Sequence, residues 1–308
     1  MNIQLQRLLL STLALALTCI SGSLFAGEKT DIPNPANLRL LVLSDTHVTS
    51  SVSKAGRIRA ILEKVNNQTI PGVDMVFVTG DIVSNVYGDY TPENQDKSDN
   101  RMERAVNVFS VLEVPYHWAM GNHDHKIASY RDSDAPWPRE EILSMWEFWR
   151  ATTGQEPYYA VNQDGWRFIV LNSFGGRHID RHFEPEQLKW LDGQLKDGLP
   201  SILFFHHPME TDTDLVWCKP LQATTPQREP EFYALLKQYQ KSVKGIFVGH
   251  GHRFVKDKLF NTIPVYETAS FGEGKDDSFN IVDIDSDSAT ITVIHGPDFV
   301  QSNSGASN

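Results

Sequence analysis

The chain has 308 residues, of which 40% are hydrophobic, 10% aromatic and 22% charged, with 16 Phe and 7 Trp. That composition excludes a disordered chain and points to a sizeable core. With 28 basic against 39 acidic residues the formal charge is −11, which repels duplex nucleic acid and anionic lipid unless a metal supplies positive charge, and two cysteines exclude a disulfide framework.

The first segment is for export. Arg7 precedes an apolar run from Leu8 to Ile20, no acid occurs before Glu28, and small residues follow at Ser21–Ser23 and Ala26–Gly27. This reads as a secretory signal peptide over residues 1–26, with a retained anchor as the alternative. The run is shorter than the roughly 20 apolar residues that span a bilayer, so no stable membrane insertion is expected after its removal. The expected location is periplasmic or secreted. Lipid attachment at Cys19 is the weaker route, because Thr18 is bulkier than the residue usually found there.

Residues 27–37 form a linker rich in Pro and Asn, residues 38–297 a single domain, and residues 298–308 a flexible polar tail. Within the domain, strand-length apolar runs alternate with helical periodicity. Leu38–Leu43 reads as a strand, followed by a helix with Ile58, Ile61, Leu62 and Val65 on one face. Met75–Val78 is the next strand, and Met102, Ala105, Val106, Phe109 and Leu112 mark a second helix. Tyr116–Met120 is a third strand, and Met145, Trp146, Phe148 and Trp149 suggest a buried helix.

Tyr158–Val161 and Trp166–Leu171 flank Asp164-Gly165, a hairpin signal. Pro185 opens a helix through Leu188, Leu191 and Leu195, Ile202–Phe205 is a strand, and a helix surrounds Phe232, Leu235, Leu236 and Tyr239. Ile246–Val248 is a strand, and Val265–Tyr266, Phe279–Ile284 and Ala289–Ile294 follow, with Pro264 marking where the first of these begins. The alternation by itself favours a mostly parallel sheet covered by helices.

Five strands run into potential ligands: Asp45 and His47, Asp81, Asn122, His206, then His250 and His252. Ligands collect at the carboxyl ends of strands in such sheets. Seven donors of this mix exceed what one ion needs and suit two cations sharing a carboxylate. In Asp45-x-His47 an extended backbone points both side chains to one side, and in His250-x-His252 Gly251 lets the chain turn tightly. Gly80 and Gly121 mark sharp exits before Asp81 and Asn122. Each motif alone is commonplace, and a histidine at a strand end is usually a satisfied core residue. Five in order, each ending an apolar run, are not a coincidence.

Together, Asp45-x-His47, Gly80-Asp81, Gly121-Asn122-His123-Asp124, His206-His207-Pro208 and Gly249-His250-Gly251-His252 resemble the calcineurin-like metallophosphoesterases. The spacing is most similar to the branch with class III cyclic nucleotide phosphodiesterases and, more distantly, purple acid phosphatases. The resemblance runs from about Leu38 to about Gly296 and implies an α/β fold, a four-layer αββα sandwich of two mixed sheets. It implies two iron, manganese or zinc ions, the first held by Asp45, His47, Asp81 and His252, the second by Asp81, Asn122, His206 and His250. His207 then supports the set from behind, and His123 sits over the substrate phosphoryl group. A metal-bridging hydroxide would attack, and His123 would protonate the leaving oxygen or stabilise its charge. The family often carries a second acid where this chain has Ser84, which cannot act as a charged partner of His123.

Loops add substrate candidates: Arg177 or His178 for a phosphate or leaving group, Tyr90 or Trp217 for stacking on a base, unless these loops are merely solvated. The expected function is an exported phosphoesterase acting on small phosphodiesters, cyclic-nucleotide-like ones among them. The alternatives are a broad phosphomonoesterase and a non-catalytic metal-binding protein on the same fold. Cys218 fits an intermolecular bridge or a buried thiol, and the oligomeric state is not legible.

Overall fold

Leu38, Leu40 and Val42 face one side of the first strand, Leu41 and Leu43 face the other, and all five are buried. A strand apolar on both faces needs cover on both. The computed structural model describes residues 37–128, 137–175, 183–213, 223–272, 278–296 and 298. The signal segment, nearly all of the linker, Arg177, His178, Trp217, Cys218 and most of the tail lie outside the described residues.

The strands are β1 (Asn37–Leu43), β2 (Met75–Val78), β3 (Tyr116–Trp118), β4 (Tyr159–Gln163), β5 (Trp166–Val170), β6 (Ser201–Phe204), β7 (Val243–Val248), β8 (Val255–Leu259), β9 (Ile263–Glu267), β10 (Asn280–Asp285) and β11 (Thr290–His295). The helices are α1 (Val52–Asn66), α2 (Arg101–Phe109), α3 (Arg139–Thr153), α4 (Pro185–Leu195) and α5 (Pro230–Gln238). One sheet runs β11-β10-β1-β2-β3 and the other β4-β5-β6-β7-β9-β8. Both are mixed: β1, β2 and β3 are parallel, as are β5, β6, β7 and β9, while β10, β11, β4 and β8 pair antiparallel.

The core has three layers of apolar contact. Between the sheets, Leu40, Val42 and Phe77 meet Phe168, Phe204 and Phe247, with the Phe77 and Phe204 rings stacked at 4.0 Å. Outside the first sheet α1, α2 and α3 cover Leu41, Leu43, Val76 and Val78. Outside the second, α4 and α5 cover Ile169, Leu203, Ile246 and Val248. This is the four-layer α/β sandwich. Ser51 caps α1 and Asn100 caps α2 through the amides of Lys54 and Glu103, and proline opens α4 and α5. No described helix is long and apolar enough to cross a membrane.

The single parallel sheet suggested by alternation is not what forms. The hairpin at Asp164-Gly165, both at positive φ, and the return of β10 beside β1 give each sheet antiparallel members. The second helix ends at Phe109, so Leu112 lies beyond it, and Val108 rather than Val106 is buried. The third helix is amphipathic rather than buried, with Leu143 exposed and Met145 only partly covered. β8 escapes the sequence reading because it is an edge strand whose Lys256 and Lys258 are exposed. Pro264 lies inside β9, tolerated because the ladder to β7 starts only at Val265.

Candidate metal centre

Because β1, β2 and β3 are parallel, their carboxyl ends lie along one edge of the first sheet, and those of β6 and β7 along one edge of the second. The loops beyond these ends are stitched together by backbone. Asp45 N–H donates to Gly80 O at 3.0 Å, His47 N–H to Asp81 O at 2.9 Å, and Gly249 N–H to His206 O at 2.8 Å. Across the sheets, His250 N–H donates to Asp45 Oδ2 at 3.0 Å.

Asp45, His47, Asp81, Asn122, His206, His250 and His252 all meet there. His252 Nε2 is 3.1 Å from Asp45 Oδ1 and 3.2 Å from His47 Nε2. His206 Nε2 is 3.2 Å from Asp81 Oδ2, 3.1 Å from Asn122 Oδ1 and 3.2 Å from His250 Nδ1. The two groups join through the carboxylates, since Asp45, Asp81 and His206 present ligand atoms within 4.8 Å of one another.

The local backbone differs from expectation. Asp45, His47, Asp81, His250 and His252 all have positive φ, between 41° and 70°, where non-glycine residues are uncommon. The i, i+2 pairs converge through left-handed turns and not through extended chain. Gly251 is not the residue that carries the positive φ; the two histidines beside it do. Such strain is held by its surroundings. Gly121 and Gly249 are required for close approach: a Cβ on Gly121 would strike Asp81, and one on Gly249 would strike Ser44 Oγ and come within 2.7 Å of Asp45 Oδ2.

The donor set fits cations. Asp45 and Asp81 are buried, and their ion-pair partners among the described residues are histidines only. His206 Nδ1–H donates to the Thr79 carbonyl at 2.9 Å, because a carbonyl can only accept. In neutral His206 the Nε2 lone pair then faces a carboxylate oxygen, an amide oxygen and another imidazole nitrogen. The His206 lone pair and the two oxygens turned inward in low dielectric need a proton or a cation among them. The buried Nδ2 of Asn122 has no partner among the described residues, so its amide is committed only through Oδ1.

Without a cation, protons take that part. Burial opposes charge on His206, but Asp81 and Asp45 outweigh it and lift the imidazole to about 9. Burial also opposes ionisation of Asp81, yet His206 and His123 hold it well below the usual carboxylate range. His47 is pushed down to about 4 by burial despite both aspartates.

His123 stands beside this group, its Nε2 4.0 Å from Asp81 Oδ2 and about a third of its side chain open to solvent. Its backbone N–H donates to Asp81 Oδ1 at 2.9 Å, and its Nδ1 lies 2.6 Å from the Ser84 carbonyl. Ser84 therefore orients the ring by its main chain, while its hydroxyl turns to the His47 carbonyl at 3.3 Å. His207 is closer to the set than expected: a ring nitrogen lies within 4.8 Å of those of His206 and His250, while Nδ1 faces Ser173 Oγ at 2.9 Å. Tyr90 packs tilted on Tyr87, with Lys97 over both rings.

Asp124, to which the sequence motif assigns no role, works as a brace. Its carboxylate accepts the N–H of Gly121 at 2.8 Å and of Val83 at 3.0 Å, tying the two ligand loops together. Burial and then the Asp81 charge push it up to about 7. Its place in Gly121-Asn122-His123-Asp124 was the available signal.

A family model described as calcineurin-like phosphoesterase matches residues 38–254. The chain belongs to that family. A probable cyclic nucleotide phosphodiesterase of Synechococcus sp. is 28% identical over 191 residues, 61% of this chain and 62% of the relative. The match thus spans less than two thirds of that protein's length. The 3',5'-cyclic adenosine monophosphate phosphodiesterase CpdA of Pseudomonas aeruginosa is 23% identical over 228 residues, 71% of each chain. Among solved structures, a dimetal phosphatase from Danio rerio superposes with a TM-score of 0.57 at 14% identity, covering 80% of this chain and 92% of that one. That likeness is one of fold.

Proposed function

We propose that this member of the family is an exported, two-cation hydrolase of small phosphodiesters, cyclic-nucleotide-like ones among them. The observation that carries the reading is the convergence of two buried carboxylates, four histidines and one asparagine at the joined edges of two sheets. The preference for diesters is supported by relatives named as cyclic nucleotide phosphodiesterases. Export rests on residues 1–26 alone, and amino-terminal analysis of exported protein tests it.

In this reading Asp45, His47, Asp81 and His252 hold one cation and Asp81, Asn122, His206 and His250 the other. Iron, manganese and zinc all suit these nitrogen and oxygen donors. When bound, two such cations supply the charge that acidifies a water and neutralises phosphate oxygens. The chain's own part is to orient. Thr79 fixes the His206 tautomer, Asp124 holds the Asn122 turn, and Ser84 holds His123 with Nε2 toward the opening. A proton passed to the leaving oxygen is carried at that Nε2, with Asp81 as counter-charge.

The test compares bis(p-nitrophenyl) phosphate with p-nitrophenyl phosphate on mature protein loaded with manganese, with Asp81→Ala and Asn122→Ala as controls. Diester turnover lost in both variants is expected. Monoester preference would move the assignment to a phosphatase, and bound metal without any turnover would leave a binding protein.

A further inference from the structure

Among the described residues three large hydrophobic side chains are exposed, Val52, Leu143 and Phe254, and two of them follow candidate ligands closely in sequence. Val52 opens α1 five residues after His47, and Phe254 follows His252 by two. The Nε2 atoms of those histidines are 3.2 Å apart, and Phe254 lies two residues beyond that half of the site. A scattered exposed hydrophobic needs no explanation, but an exposed aromatic ring held in place two residues from a polar centre does.

Phe254 is not loose. Its ring stacks on His295, with centroids 4.4 Å apart and planes 26° from parallel. His295 closes β11 opposite Asn280, and Asn280 pairs with Val42, three residues before Asp45. The stack therefore stands at the metal end of the first sheet, about 10 Å from β1 across two strand spacings. On the other side, Arg253 Nε donates to the buried Glu267 at 3.2 Å, and β8 begins at Val255 opposite the same residue. One face of the ring is braced by an imidazole, and the residue remains 40% exposed.

We infer that Phe254, braced by His295, is a stacking platform for the planar heterocycle of a nucleotide-type phosphoester. The inference rests on the phosphoesterase reading above and names the part of the substrate that the cations do not reach. Stacking acts through apolar area and ring quadrupoles, so it adds to binding whatever the chain's net negative charge.

Titration calorimetry of the manganese-loaded mature protein with AMP and with ribose 5-phosphate, which differ by the base, tests it. AMP should bind about tenfold more tightly, Phe254→Ala should remove that advantage without changing ribose 5-phosphate, and Phe254→Trp should keep it. Equal affinities in the unaltered protein, or Phe254→Ala weakening both ligands alike, would overturn the platform. If neither ligand binds, the platform falls as well, and turnover of bis(p-nitrophenyl) phosphate then decides whether the phosphoesterase reading stands.

Discussion

The Nδ1 atom of His123 and the main-chain carbonyl of Ser84 lie 2.6 Å apart, so backbone orients the ring where the family resemblance led to the expectation of an acid. The ring is aimed at Nδ1 by a neutral carbonyl. Ser84→Ala keeps the carbonyl and should change kcat little. His123→Ala should lower kcat by about 10²–10⁴-fold while elemental analysis finds the metal content unchanged. Equal losses in the two variants would show that the hydroxyl matters.

Asp81 reaches both halves of the centre: Oδ2 is 3.2 Å from His206 Nε2 and 3.8 Å from His47 Nε2. Asp81→Ala should therefore lose both cations and nearly all turnover, whereas Asn122→Ala should cost one. Metal-to-protein ratios after gel filtration distinguish the two, and a ratio of two in Asp81→Ala would remove the residue from the shared position.

Gly249 has no room for a methyl group against Ser44 Oγ and Asp45 Oδ2. Overpacking of this kind costs about 1–3 kcal/mol. Gly249→Ala should lower the melting temperature and displace Asp45, so that manganese affinity falls with it. A thermal scan with and without manganese reads both effects, and unchanged affinity would mean that Asp45 is not fixed by this contact.

Stability of the metal-free protein should depend on pH through His206. Its folded value of about 9 exceeds its ordinary 6.5, so its contribution is fully present below 6.5 and is lost as pH rises through 9. Thermal unfolding in EDTA should therefore shift to lower temperature across that window. Manganese, by taking the Nε2 site, should flatten the profile. A flat profile in EDTA would mean that His206 is uncharged when folded.

Much of this was legible in the chain. Strand runs such as Met75–Val78 and the hairpin at Asp164-Gly165 follow from local pattern, and the five motifs named the residues that converge. What pattern does not carry is backbone shape at the site. Nothing in Asp45-x-His47 signals two left-handed residues, because tertiary contacts such as Asp45 N–H to Gly80 impose them. β8 hid for the opposite reason, since an edge strand buries too little to need an apolar run. Asp124 was hidden among its neighbours, being a brace for backbone amides and not a member of the group it supports.

Those left-handed residues set the folding of the bare chain against its chemistry. Each costs about 1–2 kcal/mol relative to ordinary backbone, somewhat less for the aspartates. Glycine at the same places would relieve that cost and abolish the donor. A descendant with no reaction to perform would gain stability by discarding these very side chains, so decay of the centre runs downhill and only continued use holds it in place.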